Sequence, residues 1–334
     1  MGTLRIHFTA DDLARTTVAA APDPLWEVVL SRFRLRETGP QPLFRPWLGQ
    51  LRAHPARLAR MRPGARLLDT LVPPGPYFPD FLTPSESEAG LEHGIEALLS
   101  TPRRRLRAEL ARLGRHHDLP AWARPLADGD TAVLTAVGHA LRDYHEAAIT
   151  PYHAVVHGAV AADRAQRAHD LLGGGVEGLL AGLRPLMRWV PPVLEVNYDV
   201  DRDLRLGGRG LRLVPSYFCQ RVPISLADPV LPPVLIYPIE RRHRFAPAAA
   251  DPQGLAALLG RTRAAVLDAL GDGATTTELA RRLRTSPASI SRHTGVLREA
   301  GLITTRRDGA AVLHSVSPLG TALLEGRLTA PLTG

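Results

Sequence analysis

The sequence of 334 residues contains no lysine, so all 41 of its basic residues are arginines. Its single cysteine, Cys219, excludes an intramolecular disulfide bond and a metal site built from several thiolates. Long apolar runs are also absent: none approaches the roughly 20 residues needed to cross a bilayer, and the N-terminus has no run typical of a signal peptide. These absences predict a soluble, cytoplasmic protein with no membrane partner.

The excess of cations over anions is more informative than the choice of arginine. A GC-rich genome would itself favour arginine over lysine, whereas the net charge of +8, left by 33 acidic residues, needs another explanation. Such an excess favours phosphate backbones or acidic surfaces where the charges are clustered. With 45% hydrophobic and 22% charged residues the chain has the composition of a folded protein, and its length predicts two or three domains.

The N-terminal region, residues 1–245, has the pattern of a mainly α, α+β fold. Residues 4–8 alternate between apolar and polar side chains, as in a strand. Frequent prolines between residues 40 and 84 predict that helices there are short, because proline lacks an amide donor and clashes with the preceding turn. Apolar stripes at helical spacing then predict a helical core over about 85–190.

Glycines and short apolar runs mark the rest of this region. The run Gly173–Gly175 predicts a helix-terminating turn, because it lacks the Lys-Ser/Thr of a phosphate-binding loop. A small β-sheet is predicted over about 193–239, with a hairpin turn at the glycines of residues 206–211. Residues 246–254, rich in alanine and proline, are predicted to be a linker.

Few residues of the N-terminal region form a pattern typical of a catalytic, metal-binding or redox site. His153 and His157 have the i, i+4 spacing of metal ligands, but no glutamate follows His153, and ordinary packing or surface positions are favoured. Cys219 is predicted to be a small buried hydrophobe, with a redox-sensing thiol as the alternative. We therefore predict no cofactor, no metal site and no enzymatic activity.

The scarce aromatic residues are expected to lie mostly in the core of the N-terminal region. Any that line a cavity between the helices and the sheet would suit a small apolar or aromatic effector. The alternative is that the region serves mainly as a dimerisation platform. The residues concerned are Trp122, Tyr144, Tyr152, Trp189, Tyr198, Tyr217 and Phe218.

Residues 255–334 carry three predicted helices. The first covers 255–270 and ends at glycines. The second begins after Thr275, which stands in capping-box spacing to Glu278. The third runs from Pro287 to about Ala300, with Ser286 as its N-cap.

The third helix has one apolar and one small, polar face. At 100° per residue, Ile290, Thr294 and Leu297 share the inner face. The opposite face and its flanks contain no large apolar residue, so the helix can approach a major groove closely and donate hydrogen bonds to bases and phosphates. That surface comprises Ala288, Ser289, Ser291, Arg292, Gly295 and Arg298.

A hairpin is predicted after the third helix. Two alternating segments flank Asp308-Gly309, a strong turn signal, and Arg306 and Arg307 lie near its tip. Ten arginines and six acidic residues give residues 255–334 a net charge of +4. Half of the chain's net charge thus lies in about a quarter of its length.

The C-terminal segment resembles the ArsR-type winged helix-turn-helix transcriptional regulators. The resemblance covers about 70 residues and implies a homodimer that reads palindromic DNA with its third helix. Thr294 replaces the usual leucine, and the second helix has no cysteine pair, which argues against thiolate metal sensing. The segments that carry the resemblance are Thr277–Ala280, Ser286–His293, Leu297–Ile303 and Arg306–Gly309.

The sequence therefore predicts a DNA-binding transcriptional regulator, a dimeric repressor whose N-terminal region senses a small molecule or mediates dimerisation. The alternative is a protein-interaction module whose winged helix docks onto a partner. A third and less favoured hypothesis is an enzyme with an appended winged helix. Bases would be addressed by Ser289, Ser291 and Arg292, with Ala288 allowing close approach. Phosphates or the minor groove would be addressed by Ser286, His293, Arg298, Arg306 and Arg307.

Overall fold

The computed structural model describes residues 2–244, 252–270, 273–308 and 311–324. The chain divides into an N-terminal unit, residues 1–244, and a C-terminal unit, residues 245–334. The predicted linker falls largely outside the described residues.

The helices of the N-terminal unit are α1 (Ala10–Ala14), α2 (Pro24–Arg36), α3 (Arg45–Arg52), α4 (Pro55–Leu71), α5 (Leu91–Leu99), α6 (Arg103–Leu113), α7 (Ala123–Ala127), α8 (Thr131–Tyr144), α9 (His153–Ala181) and α10 (Arg241–Arg244). Its strands are β1 (Gly2–His7), β2 (Thr17–Val18), β3 (Met187–Val190), β4 (Val193–Tyr198), β5 (Arg202–Arg205), β6 (Arg212–Ser216), β7 (Ile224–Ser225) and β8 (Val234–Pro238). The predicted mainly α, α+β class is confirmed.

The strands form two four-stranded sheets where the sequence predicted one small sheet. The first has the order β3-β4-β1-β5 and the second β2-β6-β8-β7. The predicted hairpin at 206–211 is wrong, because β5 pairs with β1 while β6 pairs with β2 and β8. Glycines at positive φ, Gly207, Gly208 and Gly210, make the turn, but it carries the chain from one sheet to the other.

The second sheet is the middle layer of the N-terminal unit. Every residue of β8 is buried, as expected of a strand covered on both faces. Val234 and Ile236 pack into the helical core, whereas Leu235 and Tyr237 pack with residues of the first sheet. Because successive side chains of a strand point to opposite faces, β8 contributes to two hydrophobic cores.

Glycines predicted the break in helix α9 correctly, whereas prolines were a poor guide to the length of helix α4. The chain leaves helical geometry within α9 at Gly174 and Gly175, which confirms the predicted turn. The prediction of only short helices over 40–84 is wrong, because α4 has 17 residues and contains Pro63. The next residue, Gly64, packs directly against Ala140 of α8, so close helix packing stabilises a helix with one lost hydrogen bond.

The aromatic side chains lie in or against the hydrophobic cores, as predicted. Tyr144, Tyr217 and Phe218 are buried, whereas Trp122 and Tyr152 are partly buried. Cys219 is also buried, and burial raises the pKa of its thiol to about 12, which argues against a redox-sensing thiolate. Within the described residues, no helix is both long and apolar enough to cross a membrane.

The elements of the C-terminal unit are α11 (Pro252–Leu259), α12 (Arg261–Ala269), β9 (Ala274–Thr275), α13 (Thr276–Arg282), α14 (Pro287–Glu299), β10 (Ile303–Asp308), β11 (Ala311–Val316) and α15 (Pro318–Leu324). The predicted single helix over 255–270 is divided, because Gly260 adopts a φ of +82° between α11 and α12. The three strands form one sheet of order β10-β11-β9. Apolar residues of α12, α13, α14 and β10 share one core beside it.

Candidate nucleic-acid interface

The second helix of the C-terminal motif, α13, begins at the predicted capping box. The Thr275 hydroxyl accepts a hydrogen bond from the Glu278 amide at 3.3 Å, and the Thr275 amide donates to the Glu278 carboxylate at 2.8 Å. The Thr275 amide and, at 3.0 Å, the Thr275 hydroxyl donate to the Glu278 carboxylate, and these two hydrogen bonds lower the pKa of Glu278. The start of α13 is therefore fixed by two reciprocal contacts.

The turn between α13 and α14 depends on an unusual backbone conformation. Arg284 has a φ of +50°, the left-handed region in which glycine is ordinarily found. The Thr285 amide donates to the Ala280 carbonyl at 3.0 Å and closes the end of α13. This exposed arginine lies between the two helices, and the sequence analysis did not include it among the site residues.

The third helix, α14, begins as predicted with Ser286 as N-cap and Pro287 at its first position. The Ser286 hydroxyl accepts a hydrogen bond from the Ser289 amide at 3.2 Å. No acidic residue occupies the first turn, and Arg298 lies in the last turn. The positive end of the helix dipole is therefore uncompensated by carboxylates, which suits a phosphate.

The inner face of α14 is the one that the helical wheel predicted. Ile290, Thr294 and Leu297 are buried in the C-terminal core. The Thr294 hydroxyl donates within the helix, to the Ile290 carbonyl at 3.0 Å, so its burial leaves no unsatisfied donor.

The outer surface of α14 is small and polar except at one position. Ala288, Ser291, Arg292 and Arg298 are exposed, and Ser289 and His293 are half-buried. A β-carbon placed on Gly295 would meet no atom within 4 Å, so no described residue of the unit covers that part of the helix. The prediction of no large apolar residue is wrong, because Val296 is 42% exposed.

The wing is the predicted antiparallel hairpin of β10 and β11. Its register runs from Ile303 opposite Val316 to Asp308 opposite Ala311. Arg306 is exposed on β10, whereas the side chain of Arg307 and the turn residues 309–310 lie outside the described part of the structure.

One buried histidine links the wing to the helices. The two ring nitrogens of His314 lie 3.1 Å from the Thr276 hydroxyl and 3.0 Å from the Thr305 hydroxyl. Burial and, to a smaller extent, the charge of Arg298 lower the pKa of His314. A neutral imidazole, donating through one nitrogen and accepting through the other, fits this position. The sequence offers no signal for the contact with Thr276, which lies 38 residues from His314 in the chain.

The arginines that the structure describes in the C-terminal unit form no ion pair with a described acid. None of the ion pairs found among the described residues involves an arginine of 252–270, 273–308 or 311–324. In the N-terminal unit, by contrast, many arginines pair with carboxylates, as Arg142 does with Glu92 and Arg188 with Glu195. Arg292 and Arg298 of α14 and Arg306 of the wing are therefore available to an external anion.

His153 and His157, the pair considered as metal ligands, lie side by side at the beginning of α9. The rings of His153 and His157 stack with their centroids 3.8 Å apart. Across the described parts of the chain, no group of three or more His, Cys, Asp or Glu side chains could hold a metal ion.

Comparison with known proteins agrees with this geometry. A family model described as a helix-turn-helix domain matches residues 258–306, which include α12, α13, α14 and the beginning of the wing. The C-terminal unit is thus a helix-turn-helix domain, the type of module carried by DNA-binding regulators. No curated protein and no solved structure matches the chain.

Proposed function

We propose that the protein is a transcriptional repressor of the ArsR type that binds a palindromic operator as a homodimer. The α14 helix would enter the major groove, and the wing would contact the adjacent backbone. The N-terminal unit would dimerise the protein or sense a small molecule, and it has no catalytic role in this proposal.

The observation that carries the proposal is the outer surface of α14 with its unpaired cations. Arg292 and Arg298 are exposed on a helix of 13 residues, about 20 Å long, whose first turn has no acid. Such a helix matches the dimensions of a major groove, and its charge matches the phosphates that border the groove.

The positions of the side chains favour distinct roles along the helix. Ser291 and Arg292 are exposed and Ser289 is half-buried on the same helix, so these three would read base edges, with the small Ala288 allowing close approach. Contacts with phosphate or the minor groove would come from Ser286, His293, Arg298, Arg306 and Arg307.

A cavity in the N-terminal unit supports the proposed apolar or aromatic effector. It has a volume of about 430 Å³, and Phe33, Phe78 and Tyr198 line it. The cations at this cavity are already engaged, since Arg34 pairs with Glu37 and Arg36 with Asp69. Its remaining surface therefore favours an apolar ligand.

Selection of duplexes from a random pool by the full-length protein tests the proposal. We expect an enriched sequence with two-fold symmetry and half-sites about one helical turn apart. Enrichment of no sequence, or equal binding of all duplexes, would overturn sequence-specific operator binding.

A second function, docking of the winged helix onto a protein, is favoured by one observation. Val296 on α14 and Val312 on β11 are both exposed, at 42% and 37%. A protein partner would bury these apolar side chains, whereas DNA makes little use of them. Under this alternative, Val296→Ser would weaken partner binding while Arg292→Ala would have little effect.

A further inference from the structure

A second cavity of the N-terminal unit lies where α9, the end of β8 and α10 meet. It has a volume of about 400 Å³, within the range that accommodates small metabolites. Its apolar wall includes Leu183, Leu186 and Ile239, and its charged wall includes Arg184, Arg241 and Arg244.

Arg244 is a buried cation with no acidic hydrogen-bond partner. Its side chain is only 6% exposed, it donates to the Cys219 carbonyl, and it lies over the Phe44 ring at 5.5 Å from the centroid. Its Nε is buried and has no hydrogen-bond partner. Burial lowers the pKa of the guanidinium, as expected for a charge whose desolvation is poorly compensated.

The buried carboxylate that acts on Arg244 through space is already occupied. Glu27 accepts hydrogen bonds from the Tyr217 amide at 2.8 Å, the Phe218 amide at 3.1 Å and the Ser216 hydroxyl at 2.9 Å. It therefore does not cap the guanidinium directly.

The acids that line the cavity bind groups other than these three arginines, and the Oδ1 of Asp163 is buried without a hydrogen-bond partner. Asp163 accepts a hydrogen bond from the Tyr237 hydroxyl at 2.7 Å, and Glu240 accepts one from Arg167 at 3.0 Å. No ion pair among the described residues involves Arg184, Arg241 or Arg244. Three cations thus line one cavity without an ion pair to any acid in the described part of the chain.

We propose that this cavity binds a small organic anion, with a carboxylate or phosphate on a compact apolar body. The anionic group would be held by Arg244 in the wall and by Arg184 and Arg241, which are exposed at the rim. The apolar body would lie against Leu183, Leu186 and Ile239. A guanidinium and a carboxylate or phosphate form charge-assisted hydrogen bonds, which supply the missing partner of Arg244.

The position of the cavity gives the ligand a route to regulation. Its wall includes α10, whose last residue, Arg244, ends the N-terminal unit and precedes the C-terminal unit in the chain. An anion bound by Arg241 and Arg244 would therefore act next to the junction of the two units. This consequence rests on the proposed function, whereas binding of the anion does not.

Calorimetric titration of the full-length protein tests the site without DNA. The probes are benzoate and inorganic phosphate, with benzamide as the neutral counterpart of benzoate, at about 10 mM ionic strength, where screening is weak. We expect saturable binding of at least one anion and none of benzamide. Binding of benzamide as strong as that of benzoate, or no saturable binding of either anion, would overturn the proposal.

Variants of the three arginines locate the binding. Arg244→Gln should weaken anion binding by roughly tenfold or more, because it removes a charged hydrogen bond in a buried position. The Arg184→Gln/Arg241→Gln double variant, altered only at exposed positions, should weaken it by roughly fivefold and serves if Arg244→Gln fails to fold. Arg104→Gln, an exposed arginine of α6 away from the cavity, is the control. Unchanged affinity in the folded double variant would contradict the assignment.

Discussion

Glu27 illustrates how one buried carboxylate can organise a loop of the N-terminal unit. It lies on α2, is 1% exposed, and accepts hydrogen bonds from three consecutive residues that include the end of β6. Burial raises its pKa to about 7, against the opposing effect of these hydrogen bonds. Ionisation of Glu27 is therefore harder in the folded protein than in the unfolded chain.

This shift predicts a pH dependence of stability that Glu27→Gln should remove. The folded state binds more protons than the unfolded state between pH 4.5 and 7, so the free energy of unfolding should fall as the pH rises through this range. The loss attributable to Glu27 is of the order of 3 kcal/mol. Urea unfolding at several pH values, followed by tryptophan fluorescence, measures it in both proteins.

Comparison of the two proteins isolates Glu27 from other titrating groups. Burial lowers the pKa of His145 to about 4, so that residue destabilises the fold in the opposite direction, as the pH falls from 6.5 to 4. His145 is present in both proteins and cancels in the difference. An equal slope between pH 4.5 and 7 in wild type and Glu27→Gln would show that Glu27 is not the cause.

Arg292 is the residue most directly tied to base recognition. Arg292→Ala should weaken binding to a selected duplex by about 1–3 kcal/mol and relax specificity at one base pair. Fluorescence anisotropy with the selected duplex and with single-base variants measures both effects. Arg104→Ala, an exposed arginine of the N-terminal unit, should leave the affinity unchanged; an equal loss in both variants would contradict base readout by Arg292.

At the scale of residues, the sequence was a good guide wherever one helix decides the outcome. The 100° period alone placed Ile290, Thr294 and Leu297 in the core. It gave no indication of His314, whose partners Thr276 and Thr305 come from two other elements. Contacts of this kind depend on tertiary packing, which local periodicity does not encode.

At the scale of elements, the turn between α13 and α14 is held under local strain. A non-glycine residue in the left-handed region costs about 1–2 kcal/mol, and Arg284 occupies that region with a φ of +50°. The short turn requires the conformation, since Thr285 must donate back to Ala280. Because glycine would fit this turn without strain, the presence of an arginine indicates that its side chain has a function.

Arg284→Gly should therefore stabilise the C-terminal unit by about 0.5–1 kcal/mol, after the larger entropy of glycine in the unfolded chain is included. Arg281→Gly, at an exposed position within α13, is the matched control and should destabilise the unit by about 1 kcal/mol. Residues 255–334 contain no tryptophan, tyrosine or phenylalanine, so fluorescence cannot follow their unfolding. The measurement is therefore hydrogen exchange of peptides from 273–308. Slower exchange in Arg281→Gly than in Arg284→Gly would refute the strain.

Elements marked by capping residues were predicted closely, whereas pairings between distant strands were not. Thr275 and Ser286 begin α13 and α14 as expected, because caps act within four residues. The turn at 206–211 was recognised, but β5 and β6 find their partners in β1 and β2, far away in the chain. Turn residues predict where the chain reverses or bends, but they do not predict which strand will pair with the strands on either side.

At the scale of the whole molecule, the two units use arginine differently. The N-terminal unit pairs many arginines with acids, and one of these arginines, Arg32, is buried where it meets Asp69. The described arginines of the C-terminal unit form no ion pair, and the last 80 residues of the chain carry half of the net charge of +8. Composition alone could assign this charge to the unit, but the absence of acid partners among the described residues needed the structure.

The dependence of duplex binding on salt tests the central claim most directly, since phosphate contacts release counterions. If Arg298, Arg306 and Arg307 each neutralise one phosphate in both protomers, the logarithm of the association constant should fall against the logarithm of salt with a slope of about −5. The measurement uses the full-length protein and its selected duplex. A slope of about −5, reduced in Arg298→Gln, is the predicted result. A slope near zero, or no duplex binding at low salt, would contradict DNA binding by the C-terminal unit.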